Sequence, residues 1–165
     1  MRRAIIAFWA LLLVVARPAH AEDLALPKSL AHLVVPDDWK AMRAQGVVAA
    51  YRRDAGGFLA VTRAEVPNPD AWTKEKKQAY ADQVAAGIKA SIPNAKKLTK
   101  KLTEMNGVPA VDVEAQHDGA PVVVRVLLFR TYALSCAIEL PKGTDVAVAR
   151  AIVAKFGPAK PIPKD

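Results

Sequence analysis

Few side chains in this sequence could do chemistry, and their spacing limits what that chemistry would be. The single cysteine, Cys136, and His117 would make a thiol–imidazole pair if their strands lay side by side. Cys136 falls in the alternating apolar series Leu134-Cys136-Ile138, where cysteine behaves as a small hydrophobe and burial leaves the thiol inert. It reads as a core residue. Asp112 and Glu114 stand two apart on one strand face, a spacing that permits acid–base work, although that face reads as the wet side of a sheet. Asp37-Asp38 is a carboxylate pair better suited to turn formation than to holding a cation. Gly56-Gly57 precedes a strand and not a helix, so it is no phosphate loop. No G-x-S-x-G occurs and His117 sits beside Asp118-Gly119, a turn, so a serine triad has no support. Cys136, His32 and His117 are too few for a zinc cluster, and no cofactor is expected. Lys96, Lys97, Lys100 and Lys101 form the densest charge cluster, with Lys89 near in sequence. Such a cluster can contact an anionic lipid or polysaccharide surface. It lacks interleaved aromatics, so nucleic acid is not expected, and a solvated face is its plainer reading.

The elements that must position these residues follow from periodicity and punctuation. Glu22 to His32 reads as a lead-in segment and Leu33-Val34-Val35 as a short strand, ended by the turn Pro36-Asp37-Asp38-Trp39, with Trp39 folding back onto the core. Val47–Arg53 and Phe58–Val66 read as a hairpin about Asp54-Ala55-Gly56-Gly57. Asn68-Pro69 has the form of a helix start, and a helix is predicted over Asp70 to Ser91 with Trp72, Tyr80, Val84 and Ile88 as its apolar stripe. Lys74, Lys76 and Lys77 in its first turns oppose the helix dipole. Ala95–Met105 suits helix and strand alike; we read strand from Leu102 onward. Asn106-Gly107 and Asp118-Gly119 are turn signals bracketing the alternating strand from Val111. Val122–Phe129 is almost continuously apolar, as in a central strand covered on both faces. Tyr132–Leu140 alternates again. Phe129-Arg130-Thr131 between them must hold a tight turn or bulge, though it contains no turn residue. Thr144 or Asp145 caps a last helix to Phe156 with Val148, Ile152 and Phe156 as its stripe. Gly157 and Pro158 end it, and 157–165 reads as a Pro-rich tail.

Ahead of all this stands a leader. Arg2-Arg3, the 13-residue apolar run Ala4–Ala16 and Ala19-His20-Ala21 make a secretory signal peptide over 1–21, cut between Ala21 and Glu22. The run is shorter than the roughly 20 residues of a spanning helix, so no transmembrane segment is expected after cleavage. The remaining 144 residues carry 21 Lys+Arg against 16 Asp+Glu, a mildly basic chain of one domain's size, 33–156. One cysteine allows no internal disulfide, even in the periplasmic or secreted location that the leader implies.

Strands, a helix, further antiparallel strands and a closing helix predict an α+β fold with an antiparallel sheet. That order, together with VVPDDW (Val34 to Trp39), NGVPA (Asn106 to Ala110) and AIVAKF (Ala151 to Phe156), resembles the PsbP-like family over about Leu33 to Phe156. The resemblance implies an α/β sandwich serving as a binding or assembly surface, and it carries over no active-site residues. The expected function is an exported, non-catalytic binding or accessory protein of the bacterial envelope, its partner an unspecified protein or envelope component. The alternatives are docking on anionic lipid or polysaccharide through the lysine cluster, and a small hydrolase with an unmarked site.

Overall fold

The computed structural model describes residues 23–25, 31–66, 72–92 and 94–158. The leader, its cleavage point at Ala21–Glu22, the Asn68-Pro69 helix start and the tail beyond 158 lie outside them. Among these residues, ten strands and two helices follow in the order β1 (Asp23–Ala25), β2 (Ala31–Val34), β3 (Trp39–Met42), β4 (Ala49–Arg53), β5 (Phe58–Glu65), α1 (Lys74–Ser91), β6 (Lys96–Met105), β7 (Val108–His117), β8 (Ala120–Leu128), β9 (Tyr132–Glu139), α2 (Val146–Val153) and β10 (Phe156–Pro158). The predicted α+β class with two helices and an antiparallel sheet is what forms. Seven strands make one sheet in the order β3-β4-β5-β9-β8-β7-β6, and β1-β2-β10 make a second, small one.

The hairpins follow their turn chemistry. Asn106 and Asp118 take positive φ (50° and 51°) and are each followed by a glycine at positive φ, the type I′ arrangement that matches strand twist. The turn between β8 and β9 has no such residue and is held another way. The Phe129 N–H donates to the Tyr132 carbonyl at 3.0 Å, and the Thr131 carbonyl accepts from the Val66 N–H at 3.1 Å. The Phe129 and Tyr132 rings stack with centroids 4.7 Å apart. Tertiary contacts close this turn, which is why no local signal marks it.

The sheet separates two apolar layers. On one face Leu59, Val61, Val123, Leu127, Leu134, Cys136 and Ile138 meet α2 through Ala149, Ile152 and Val153, and meet the small sheet through Leu33 and Phe156. Trp39 belongs to this layer and is fully buried. On the other face Val111, Val113, Val122, Val124, Val126 and Leu128 lie under the α1 residues Ala81, Tyr80, Val84 and Ile88. Every residue of β8 but Arg125 is buried, the continuous apolar strand covered on both sides. Each large aliphatic side chain so enclosed contributes roughly 1.5–3 kcal/mol.

Several boundaries differ from the sequence reading. The supposed lead-in is part of the fold: β1 pairs antiparallel with β2, Leu24 opposite Leu33. β2 runs from Ala31 to Val34, two residues ahead of the strand read there, and β3 was not anticipated. α1 begins at Lys74, where Thr73 caps it by accepting the Lys76 N–H on its Oγ1 at 3.3 Å. β6 is strand over its whole length from Lys96, because pairing with β7 overrides the mixed local preference. α2 is capped by Asp145 and stops at Val153. Its buried stripe is Ala149, Ile152 and Val153, and Val148 points outward, 43% exposed. Phe156, Gly157 and Pro158 are neither helix nor tail. They are buried and pair with β2, Phe156 opposite Leu33.

Candidate binding surfaces

The residues that could have carried chemistry are spread apart. Cys136 lies on the α2 face of β9, fully buried and opposite Arg125 in register. Burial pushes its thiol up to about 12, with Arg125 only partly opposing. His117 lies at the far end of β7, on the alternation that faces α1 (Val111, Val113, Ala115), and its Nδ1 is 3.2 Å from Glu139 Oε1. Thiol and imidazole are therefore on opposite faces and do not pair.

Asp112 and Glu114 are not on a wet face. Each holds an arginine in a two-point contact on the α2 side. Arg125 donates through Nε to Asp112 Oδ1 at 2.7 Å and through Nη2 to Oδ2 at 2.8 Å. Its Nη1 also donates to the Val153 carbonyl at 3.3 Å, the last residue of α2. Arg150, on α2 itself, donates through Nη2 to Glu114 Oε2 at 2.6 Å and through Nε to Oε1. This contact holds the Glu114 carboxyl below its ordinary range. The two carboxylates clamp α2 onto the sheet. Their partners come from the next strand and from a helix more than thirty residues away, so spacing along β7 could not reveal them. Asp38 faces Arg53 at 3.6 Å in the turn before β3, where both belong to a surface pair.

The lysine cluster proves to be one edge of the large sheet. β6 is the terminal strand, so its lysines project from both faces. Lys100 pairs in register with Val113, faces α1 and contacts Asp82 there. Lys101 stands opposite Asp112, on the α2 side. The register breaks between Lys96 and Thr99, and Lys97 sits in this bulge at φ +52°. The four charges form a fence along an edge and no single flat patch. Lys89 ends α1, where a cation suits the helix dipole.

A second surface had no mark in the sequence. The apolar layer under α1 reaches Ala133 and Ala137 of β9 and takes in no residue of β3, β4 or β5. Across that half of the same face, Ala50, Ala60 and Ala137 lie in one row and Thr62 and Ser135 in the next. Phe58 and Glu139 make a third row towards the His117 end. Ala50 and Ala60 are themselves buried, while Thr62, Ser135 and Ala137 are part-exposed beside the helix.

The fold defines the class first: an α+β domain with one dominant antiparallel sheet, a helix on each face and a small accessory sheet. No family model matches the sequence, and no curated protein does. Solved structures do match. The solution structure of cyanobacterial PsbP (CyanoP) from Synechocystis sp. PCC 6803 superposes at TM-score 0.60 with 11% identity, over 80% of this chain and 88% of that one. A crystal structure from Bacteroides thetaiotaomicron VPI-5482 matches at TM-score 0.46 and 13% identity, over 79% of this chain and 46% of the other. The chain thus has a PsbP-like fold, as the sequence resemblance implied. Among the described residues, no helix is long and apolar enough to cross a membrane.

Proposed function

We propose that this protein is an exported, non-catalytic binding or accessory module of the bacterial envelope. It engages a folded protein partner through the part-exposed side chains of β5 and β9 on the α1 face. Export is read from Arg2-Arg3, the apolar run and the Ala19-His20-Ala21 cleavage pattern, which place the domain in the periplasm or the secreted fraction. The observation that carries the binding reading is the part-exposed set Thr62, Ser135 and Ala137 on the neighbouring strands β5 and β9. It lies on a sheet face and is mixed in polarity, which fits a protein surface better than a small molecule, since small ligands favour enclosed concavities. The non-catalytic part is supported by how the reactive groups are used: the thiol is buried and both β7 carboxylates are tied to arginines.

A photo-crosslinking residue at Thr62 or Ser135, tested in periplasmic extract, should capture one recurrent protein. The same residue at Val148, on the opposite side of the sheet, should not. Equal capture from both positions, or none from either, would remove the reading.

A further inference from the structure

We infer that the outer edge of β6 is a charge-selective docking strand that takes an acidic, extended peptide segment by strand addition. This goes beyond the sheet-face reading and uses a different surface, so either can fail alone.

β6 is ten residues long and, among the described residues, is bonded to a strand on one side only. The other outermost strands are short: β3 has four residues, and β1 and β10 have three each. A long strand edge presents a row of unpaired N–H and C=O groups, a template that another chain can extend. Folded proteins normally remove such edges or guard them. Here the guards are the bulge at Lys97 and the positive charges of Lys96, Lys97, Lys100 and Lys101, with Glu104 the one acidic residue of the strand.

That charge discriminates between occupants. Antiparallel pairing of two copies about Leu98 and Thr99 would set Lys96 against Lys101 and Lys97 against Lys100, like charges directly across strands. A second copy is therefore repelled at the register centred on the lysines, and pairing all ten residues still sets Lys100 against Lys101, although Lys97 then meets Glu104. A strand bearing Asp and Glu at those places meets attraction at each of them, so the residues that reject self-pairing select an acidic partner. A flat anionic bilayer fits less well. Lys100 and Lys101 leave on opposite faces, and Lys100 is held by Asp82. The accessible stretch runs from Lys96 towards Leu102. At Met105 the side chain lies against the small sheet, where a Cβ on Gly157 would come within 3.0 Å of Met105 Cε.

The test uses the full exported chain and a fluorescent peptide of about twelve residues alternating Glu with Val or Thr. A matched peptide with Lys in place of Glu and vesicles containing anionic lipid serve as comparisons. The acidic peptide should bind, weaken about tenfold or more as salt rises from ~0.05 M to ~0.5 M, and slow amide exchange across Thr99 to Leu102. Binding should fall at least tenfold in Lys96→Glu/Lys97→Glu, two exposed positions that leave the Asp82 contact intact. Lys96→Gln/Lys97→Gln should fall in between. The Lys peptide should not bind. Acidic peptide that fails to bind, or binds without slowing exchange in β6, overturns the assignment. So do vesicle binding without peptide binding, and a wild-type dimer with protected β6 amides.

Discussion

The two faces of the seven-stranded sheet are built from the same strands and do different work. The α2 face is continuous. From Tyr51 and Leu59 through Ile138 and Val123, its apolar side chains are enclosed, and where polarity intrudes, at Asp112 and Glu114, an arginine answers each carboxylate. On the α1 face the large aliphatics of β7 and β8 lie under α1, while β4, β5 and β9 carry smaller side chains, Ala50 and Ala60 buried and Thr62 and Ser135 part-exposed. The difference lies in side-chain size and polarity: large aliphatics need a lid, while serine and threonine can face water without one. Stability is thus concentrated on one side, leaving part of the other available for contact.

The comparison breaks first if the α2 face is not the stable one. Leu134→Ala, at a fully buried position, should destabilise by about 3–5 kcal/mol in urea unfolding, whereas Thr62→Ala at a part-exposed position of the α1 face should shift stability by under ~0.5 kcal/mol. Equal losses would mean that Thr62 is enclosed in the folded protein. Next in size is the clamp on α2. Arg125→Leu leaves Asp112 largely enclosed without its partner and should lower stability by about 2–4 kcal/mol. Adding Asp112→Leu should recover much of that loss, since the penalty comes from an unanswered charge.

A smaller effect sharpens the picture through pH. The Glu114 carboxyl titrates below its ordinary value of 4.5 because Arg150 hydrogen-bonds it. A depressed folded pKa means that the stabilisation is present above the unfolded value and lost as pH falls through the folded one. Between neutral pH and acid, the wild type should therefore lose more stability than Glu114→Gln, and the two curves should converge below the folded pKa. Parallel curves would detach Glu114 from the docking of α2. The smallest signal is chemical. Cys136, buried and raised to about 12, should resist a thiol reagent at neutral pH in the native state and react once the chain unfolds. Prompt native labelling would show that the α2 face opens.

Legibility followed the range of the interactions. Val122–Phe129 announced a doubly covered strand because eight near-continuous apolar residues admit little else. Asp118-Gly119 announced its hairpin because positive φ is local chemistry. The alternation of Leu134, Cys136 and Ile138 placed the cysteine in the core before any neighbour was known. Ala95–Met105 was ambiguous because lysine and threonine leave the choice to a partner strand, and β7 made it. Phe156 to Pro158 looked like a helix end, yet its role depends on β2, more than a hundred residues earlier in the chain.

Alone, then, the order of residues determined the class of fold, the central strands, the two I′ hairpins and the buried cysteine, since each rests on hydrophobic period or backbone freedom within a few positions. Only the tertiary structure decided that Asp112 and Glu114 serve α2, that four lysines share an edge, and that Thr62 and Ser135 stand side by side on the α1 face. Those outcomes depend on which strands become neighbours, a matter settled by long-range packing that no short window of sequence contains.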